Sequence, residues 1–214
     1  MTQVKICGIT RDEDLEAVID TGADAVGFVV GVPSSPRNLS PERASELVKQ
    51  VPVFTKTVMV MVPQGLKEIT KAYEAVKPDA LQLHGEGAPN ADEIRAVISG
   101  ADLIRGVTLN PGEVQSDVQE AEFFDAVLLD TFVPGVYGGT GITHDWETAR
   151  ELCHITGHNR LILAGGLNPS NVQKAIRKVR PYAVDVSTGV ESSPGVKDPR
   201  KIEFFIKQVR KMEP

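Results

Sequence analysis

Two cysteines, Cys7 and Cys153, are all that the 214 residues contain. They lie far apart and form no disulfide framework, which points to a reducing setting. Long apolar runs are missing too: the longest, such as residues 25–32, are much too short to span a bilayer. The opening MTQVKICGITRDED has neither the apolar core nor the small-residue cleavage site of a secretory signal, so a soluble protein of the cytoplasm is expected. Nor is there an excess of positive charge. The formal net charge of -6 argues against a nucleic-acid or anionic-membrane partner, while leaving room for a small anion held by a local basic cluster. A metal site lacks ligands: His154 and His158 stand four apart beside Cys153, but Gly157 is expected to end the helix between them, and no third ligand is close. No metal is expected.

What is present is a rhythm. Short β-branched runs alternate with amphipathic charged segments, and no linker or low-complexity tract interrupts them. Strands are expected over 4–7, 25–30, 54–62, 80–84, 103–107, 126–130, 161–164 and 183–187. Helices are expected over about 12–21, from the cap Ser40 with Pro41 at the first helical position, over 66–76, 91–98 and 113–121, around Trp146 to Gly157, from Asn168-Pro169-Ser170, and from Pro199. Eight strand–helix units in 214 residues leave about 27 residues each, tight but sufficient for one (β/α)8 barrel domain over residues 1–214. A doubly wound open sheet is the competing architecture. Glycines after several strands, late as well as early, favour the barrel.

Barrel enzymes carry their chemistry at the carboxyl ends of the strands. Strand one delivers Cys7 there, either a small buried hydrophobe or a reactive thiol. Alternation puts Lys5 on the same face as Cys7, and Val4 and Ile6 on the other. Strand six ends in Asp130, a carboxylate after an apolar run, which is either a turn cap or a general acid. Arg37, after Ser35-Pro36, is a candidate two-pronged clamp for a carboxylate. Gln82 and His84 share one strand face and point into the barrel, with His84 reading as a hydrogen-bonded structural histidine rather than a proton donor. With Asp185 they make up the expected substrate contacts. Gly165 and Gly166 after strand seven, and Ser187, Thr188 and Gly189 after strand eight, suit the recurring phosphate site of this fold. Gly139, in the glycine-rich loop after Asp130, is counted with them. The expected partner is a small phosphorylated molecule, with the chain a monomer or homodimer.

Together these segments resemble the phosphoribosylanthranilate isomerase family of tryptophan biosynthesis. The matching stretches are Lys5-Ile6-Cys7-Gly8-Ile9-Thr10, Ser35-Pro36-Arg37, Leu81-Gln82-Leu83-His84-Gly85 and Leu128-Leu129-Asp130. They continue with Gly138-Gly139-Thr140-Gly141, Leu163-Ala164-Gly165-Gly166-Leu167, Asp185-Val186-Ser187-Thr188-Gly189-Val190-Glu191 and Pro194-Gly195-Val196-Lys197-Asp198. The resemblance implies a TIM barrel that converts N-(5-phosphoribosyl)anthranilate to the 1-deoxyribulose 5-phosphate product by an Amadori rearrangement, without a cofactor. It implies Asp130 as the general acid at the ring oxygen and Cys7 as the base at C2. Arg37 would hold the anthranilate carboxylate, and the loops at Gly165-Gly166 and Ser187–Gly189 the phosphate.

Three departures stand out: Met59-Val60-Met61-Val62-Pro63 replaces a glycine- and phenylalanine-containing strand end, His144-Asp145-Trp146 the usual Phe-Asp-Trp, and Thr188 a second serine. None removes an acid, a base or a phosphate group. A histidine-pathway isomerase would carry an aspartate at the first-strand position. An indole-glycerol-phosphate synthase would need a lysine and glutamate set that is not in place, and a non-catalytic phosphate-binding barrel would have no use for both Cys7 and Asp130. A free thiol titrates near pH 8.5, so Cys7 needs help to ionise; Lys5 is the expected source of positive potential.

Overall fold

Alternation along the strands sorts the apolar side chains into two cores. The computed structural model describes residues 1–108, 121, 123–130, 146–155 and 161–212. Its main strands are β1 (Gln3–Cys7), β2 (Ala25–Val30), β3 (Asn38–Leu39), β4 (Lys56–Met61), β5 (Ala80–Leu83), β6 (Asp102–Thr108), β7 (Ala126–Asp130), β8 (Leu161–Ala164) and β9 (Ala183–Val186). Every pairing among them is parallel, and β1 pairs with both β2 and β9, which closes the ring. With β3 set aside as an appendage of β2, this is the expected eight-stranded TIM barrel, and the open doubly wound sheet is excluded.

Outward-facing Val4, Ile6, Val26, Phe28, Leu81, Leu129 and Leu163 pack with the helices into the larger core. Inward-facing Cys7, Val58, Val60, Ile104, Leu128, Ile162 and Ala164 fill the barrel itself. The helices are α1 (Asp12–Asp20), α2 (Pro41–Val48), α3 (Leu66–Val76), α4 (Ala91–Arg95), α5 (Trp146–Ile155), α6 (Val172–Val179) and α7 (Pro199–Arg210). Ser40 caps α2 by accepting the Arg43 amide, as its sequence signature predicts. Among the described residues no helix is long and apolar enough to cross a membrane.

Some boundaries differ from expectation. The strand expected from residue 54 begins at Lys56, because a turn closed by Thr55 N–H to the Pro52 carbonyl leaves Phe54 97% exposed. The helix expected to open at Asn168 begins at Val172; residues 168–171 form the preceding turn instead. The helix expected over 113–121 lies, apart from Ala121, outside the described residues. A short antiparallel hairpin, β10 (Glu191–Ser193) and β11 (Val196–Lys197), follows β9 and was not anticipated.

β3 matters for the site. At Val29, β4 already occupies one side of β2, so β3 lies on the side where β1 has ended. The residue just before it, Arg37, is thereby brought over Cys7-Gly8.

The amino ends of the strands serve a different purpose. β2, β5, β7 and β9, every second strand of the ring, each begin with alanine: Ala25, Ala80, Ala126 and Ala183. These small side chains line a cavity of about 310 Å³ at the barrel floor. Before three of them stands an aspartate whose carboxylate crosses to the preceding barrel strand: Asp24 to Val4 N–H (2.7 Å), Asp79 to Thr57 N–H (2.8 Å) and Asp125 to Leu103 N–H (2.8 Å). Each closes a backbone donor at the start of a strand that has no ladder partner there. Asp24→Ala should therefore cost about 1–3 kcal/mol, since it strands the Val4 amide. In urea unfolding the midpoint should fall without a change in slope, and the folded variant should keep its activity.

Candidate active site

Lys5 and Cys7 face inward from β1 as alternation requires, and their heads share one space above Gly27. A Cβ at Gly27 would stand 2.9 Å from Cys7 Sγ and 3.1 Å from Lys5 Nζ, so glycine on the neighbouring strand makes room for both. Lys5 is 3% exposed and bonds Asp185 Oδ1 at 3.0 Å, the residue opposite it on β9. Burial works to lower the Lys5 pKa, but Asp185 and Cys7 together outweigh it and hold the ammonium charged. For Cys7 burial is also the largest influence and pushes the thiol up. Lys5 pulls it down by charge and by hydrogen bonding, Lys197 pulls the same way, and Asp185 opposes them. The expected role of Lys5 is thus present in kind, but burial exceeds it.

Gly8, at φ +77°, turns the chain away from β1, and a Cβ there would strike Arg37 Cδ at 2.5 Å and approach Ser187 Oγ at 3.1 Å. Arg37 and Ser187 therefore both crowd against Gly8, the residue after Cys7. The Arg37 fork is already engaged: Nε donates to Glu191 Oε1 at 2.7 Å and Nη2 to Glu191 Oε2. Lys197, its side chain fully buried, donates to the same Glu191 Oε1 (2.9 Å) and to the carbonyl (3.2 Å) and hydroxyl (3.3 Å) oxygens of Ser187. Burial works to raise the Glu191 pKa, but Arg37 and Lys197 prevail and hold the carboxyl below its ordinary range.

On the opposite wall Gln82 and His84 meet, Nε2 to Nε2, at 2.8 Å. The His84 ring lies against Gly106, where a Cβ would be only 2.3 Å from two ring atoms. Burial first, then Lys5 and Arg105 against Asp185, push the His84 pKa down to about 4, so the ring is neutral at physiological pH. That agrees with a structural histidine rather than an acid. Among the described residues Gln82 Oε1 is a buried acceptor without a partner.

The two late loops abut. Gly165 and Gly166 take φ +86° and +59°, and the side-chain amides of Asn168 (3.3 Å) and Asn171 (3.0 Å) both donate to the Gly166 carbonyl. A Cβ at Gly189 would lie 1.9 Å from the Leu167 carbonyl oxygen, so only glycine permits this backbone contact. Ser187 leads into a single 3-10 turn, Thr188–Val190. Asp130 ends β7, three strands from β1 by way of β8 and β9, and is half-buried at the same end of the barrel as Cys7. Gly139 and His158 lie outside the described residues, as do the side chains of Cys153 and His154.

Glu191 and Lys197 stand within the family-like stretches of the sequence, but no role was expected of either, and the structure sets both beside Arg37 and Ser187. Pro194-Gly195 between short runs, with opposite charges at the ends of Glu191-Ser192-Ser193-Pro194-Gly195-Val196-Lys197, is a hairpin signal that would have paired them.

The sequence model of the family described as N-(5'phosphoribosyl)anthranilate (PRA) isomerase matches residues 4–208. The N-(5'-phosphoribosyl)anthranilate isomerase of Methanothrix thermoacetophila is 44% identical over 210 residues, spanning 98% of this chain and 99% of that one. The crystal structure of phosphoribosyl anthranilate isomerase from Thermotoga maritima is 41% identical at a TM-score of 0.84, over 99% of this chain and 100% of that one. A phosphoribosyl anthranilate isomerase in complex with reduced 1-(o-carboxyphenylamino)-1-deoxyribulose 5-phosphate is 38% identical at a TM-score of 0.80, over 99% and 100%.

Removing the Lys5 charge takes away the largest influence that lowers the thiol pKa and leaves Asp185, which raises it, unpaired. Lys5→Met should therefore move the Cys7 titration upward, followed as thiolate absorbance against pH with Cys7→Ser as blank. An unchanged titration would exclude Lys5 as the source of activation.

Proposed function

The chain belongs to the N-(5'-phosphoribosyl)anthranilate isomerase family and is an isomerase of tryptophan biosynthesis; we propose that Cys7 is its general base and Asp130 its general acid. The observation that carries this reading is the shared space of the Cys7 thiol and the Lys5 ammonium above Gly27, at the end of the barrel where β7 delivers Asp130.

The substrate of the reaction is an aminoribose phosphate with a carboxylate on its aromatic ring. Asp130 gives its proton to the ribose ring oxygen as the C1–O bond breaks. The anilino nitrogen lone pair fills the vacancy at C1, and an iminium cation results. That cation acidifies the C2–H bond, and the Cys7 thiolate takes the proton from C2 to leave an enolamine. Tautomerisation then yields the ketone. No cofactor enters this scheme, because the iminium is itself the electron sink.

The scheme also answers the high thiol pKa of the buried sulfur. An iminium beside Cys7 adds a further cation to those of Lys5 and Lys197 in a low-dielectric site, where charge acts strongly. Thiolate is thus most favoured when its proton acceptor role is needed.

Arg37, beside Gly8, is suited to the substrate's carboxylate, and the backbone amides around Gly165-Gly166 and Ser187–Gly189 to its phosphate. Gln82, with its buried unpaired oxygen, can accept a sugar hydroxyl, and Asp185 acts through Lys5. Substrate and product are small phosphorylated molecules.

Substrate prepared in situ from anthranilate and phosphoribosyl pyrophosphate is fluorescent, and its loss follows turnover. The wild type should consume it, and Cys7→Ser and Asp130→Asn should each lower kcat by about 10²–10⁴-fold, the usual yield of a general acid or base. Undiminished turnover by both variants would exclude the assignment.

A further inference from the structure

Glu191 and Lys197 form a buried ion pair that takes no proton in the scheme above, although the Lys197 charge also acts on the Cys7 thiol. Their side chains are 6% and 0% exposed, and Arg37, which shares Glu191, is 16% exposed. A buried ion pair is a weak source of stability, since apolar side chains of similar volume pack there at least as well. Three charges at this corner therefore call for another account, and their remaining partners supply it. Through one carboxylate, Arg37 on the loop before β3 is joined to Lys197 on β11, and Lys197 holds both oxygens of Ser187 on the loop after β9.

The hairpin that carries the pair is itself pinned from several sides. Thr10 Oγ1 donates to the Gly195 carbonyl (2.8 Å), Lys197 N–H to Asp14 Oδ2 (3.1 Å), and Lys201 Nζ to the Glu191 carbonyl (2.7 Å). Gly195 lies so close to Pro36 that a Cβ would sit 2.9 Å from its carbonyl oxygen. The loops after β1, β2 and β9 are thus tied to one rigid strap.

We propose that the Glu191–Lys197 pair is a positioning device that fixes the distance between Arg37 and the Ser187 loop, and so matches the site to a substrate with an anion at each end. This rests on the reading above, in which Arg37 meets the carboxylate and the Ser187 loop the phosphate. Glu191 occupies Nε and Nη2 of the guanidinium, so its orientation is set before substrate arrives, and Nη1 is left for the substrate's carboxylate on this reading. Glutamine in place of Glu191 keeps the shape but cannot hold two cations, and both anion-binding groups lose their common anchor.

The test is steady-state kinetics on the full chain with substrate made in situ, for wild type, Arg37→Met, Glu191→Gln, Lys197→Met and the double variant Glu191→Gln/Lys197→Met. Misplaced anion contacts weaken binding of substrate and transition state alike, so Glu191→Gln should raise KM by about tenfold or more and change kcat by less than about threefold. The double variant removes both charges; its thermal midpoint should return towards wild type while KM stays high. That separation is what a merely structural role would not produce, and the double variant carries the same readout if Glu191→Gln alone does not fold. A wild-type KM in folded Glu191→Gln, or recovery of KM together with stability in the double variant, would overturn the positioning role. If Arg37→Met leaves KM unchanged, the Arg37 assignment and this device fall together. If Arg37→Met raises KM and Glu191→Gln does not, only the device falls. An inactive wild type would overturn the function itself.

Discussion

The ammonium of Lys5 is confined between Asp185 and the sulfur of Cys7, and most of the site follows from that confinement. Period-two alternation on β1 sends both side chains into the barrel, and parallel register with β9 sets Asp185 opposite Lys5. On the other side Gly27 leaves the space that any side chain would fill. A buried lysine needs a counter-charge, and Asp185 supplies it. The thiol then lies beside a fixed cation in a site whose burial disfavours ionisation. The balance between those two influences governs how readily Cys7 ionises.

The ends of the barrel divide the remaining work. At the amino ends, alanines from alternate strands leave a cavity at the floor, and the aspartates before three of them close backbone donors on neighbouring strands. Those carboxylates also meet cations where these are near, as Asp24 does with Arg210 at 2.8 Å. At the carboxyl ends the charges are spent differently. Asp185 holds the cation beside the thiol, and Glu191 holds Arg37 and the lysine that bonds Ser187. Carboxylates thus close backbone donors at one end and hold buried cations at the other, the end where barrel enzymes carry their chemistry.

Much of this was legible in the sequence for reasons that are local. Alternation in Val4–Cys7 assigned Lys5 and Cys7 to one face, Ser40-Pro41 marked a helix start, and glycines after late strands marked close backbone approaches. Several motifs in the family's order identify the family from sequence alone. What stayed hidden depends on the chain meeting itself at long range. Nothing near Arg37 in sequence announces that its fork is filled by Glu191, 154 positions away. Phe54 looked like strand because β propensity registers apolar character and not the turn that Pro52 and Thr55 close. The His84 environment was likewise non-local, since the glycine that admits its ring is on the next strand.

The charge pattern at the mouth has one further consequence. Lys5, Arg37 and Lys197 stand there against Asp185 and Glu191, so the groups around Cys7 leave a positive charge in excess on a chain whose formal net charge is -6. Each of these cations is tied to a carboxylate, so none can swing out to follow solvent. Preorganised charge of this kind does not need to rearrange as an anion enters, which is the condition under which electrostatics contributes most to binding and catalysis. An anionic substrate would thus meet local positive potential within a globally negative protein. A thiolate formed beside it would draw on the same fixed charges. On the proposed reading, one set of buried pairs would thereby serve both recognition at the rim and ionisation at the sulfur.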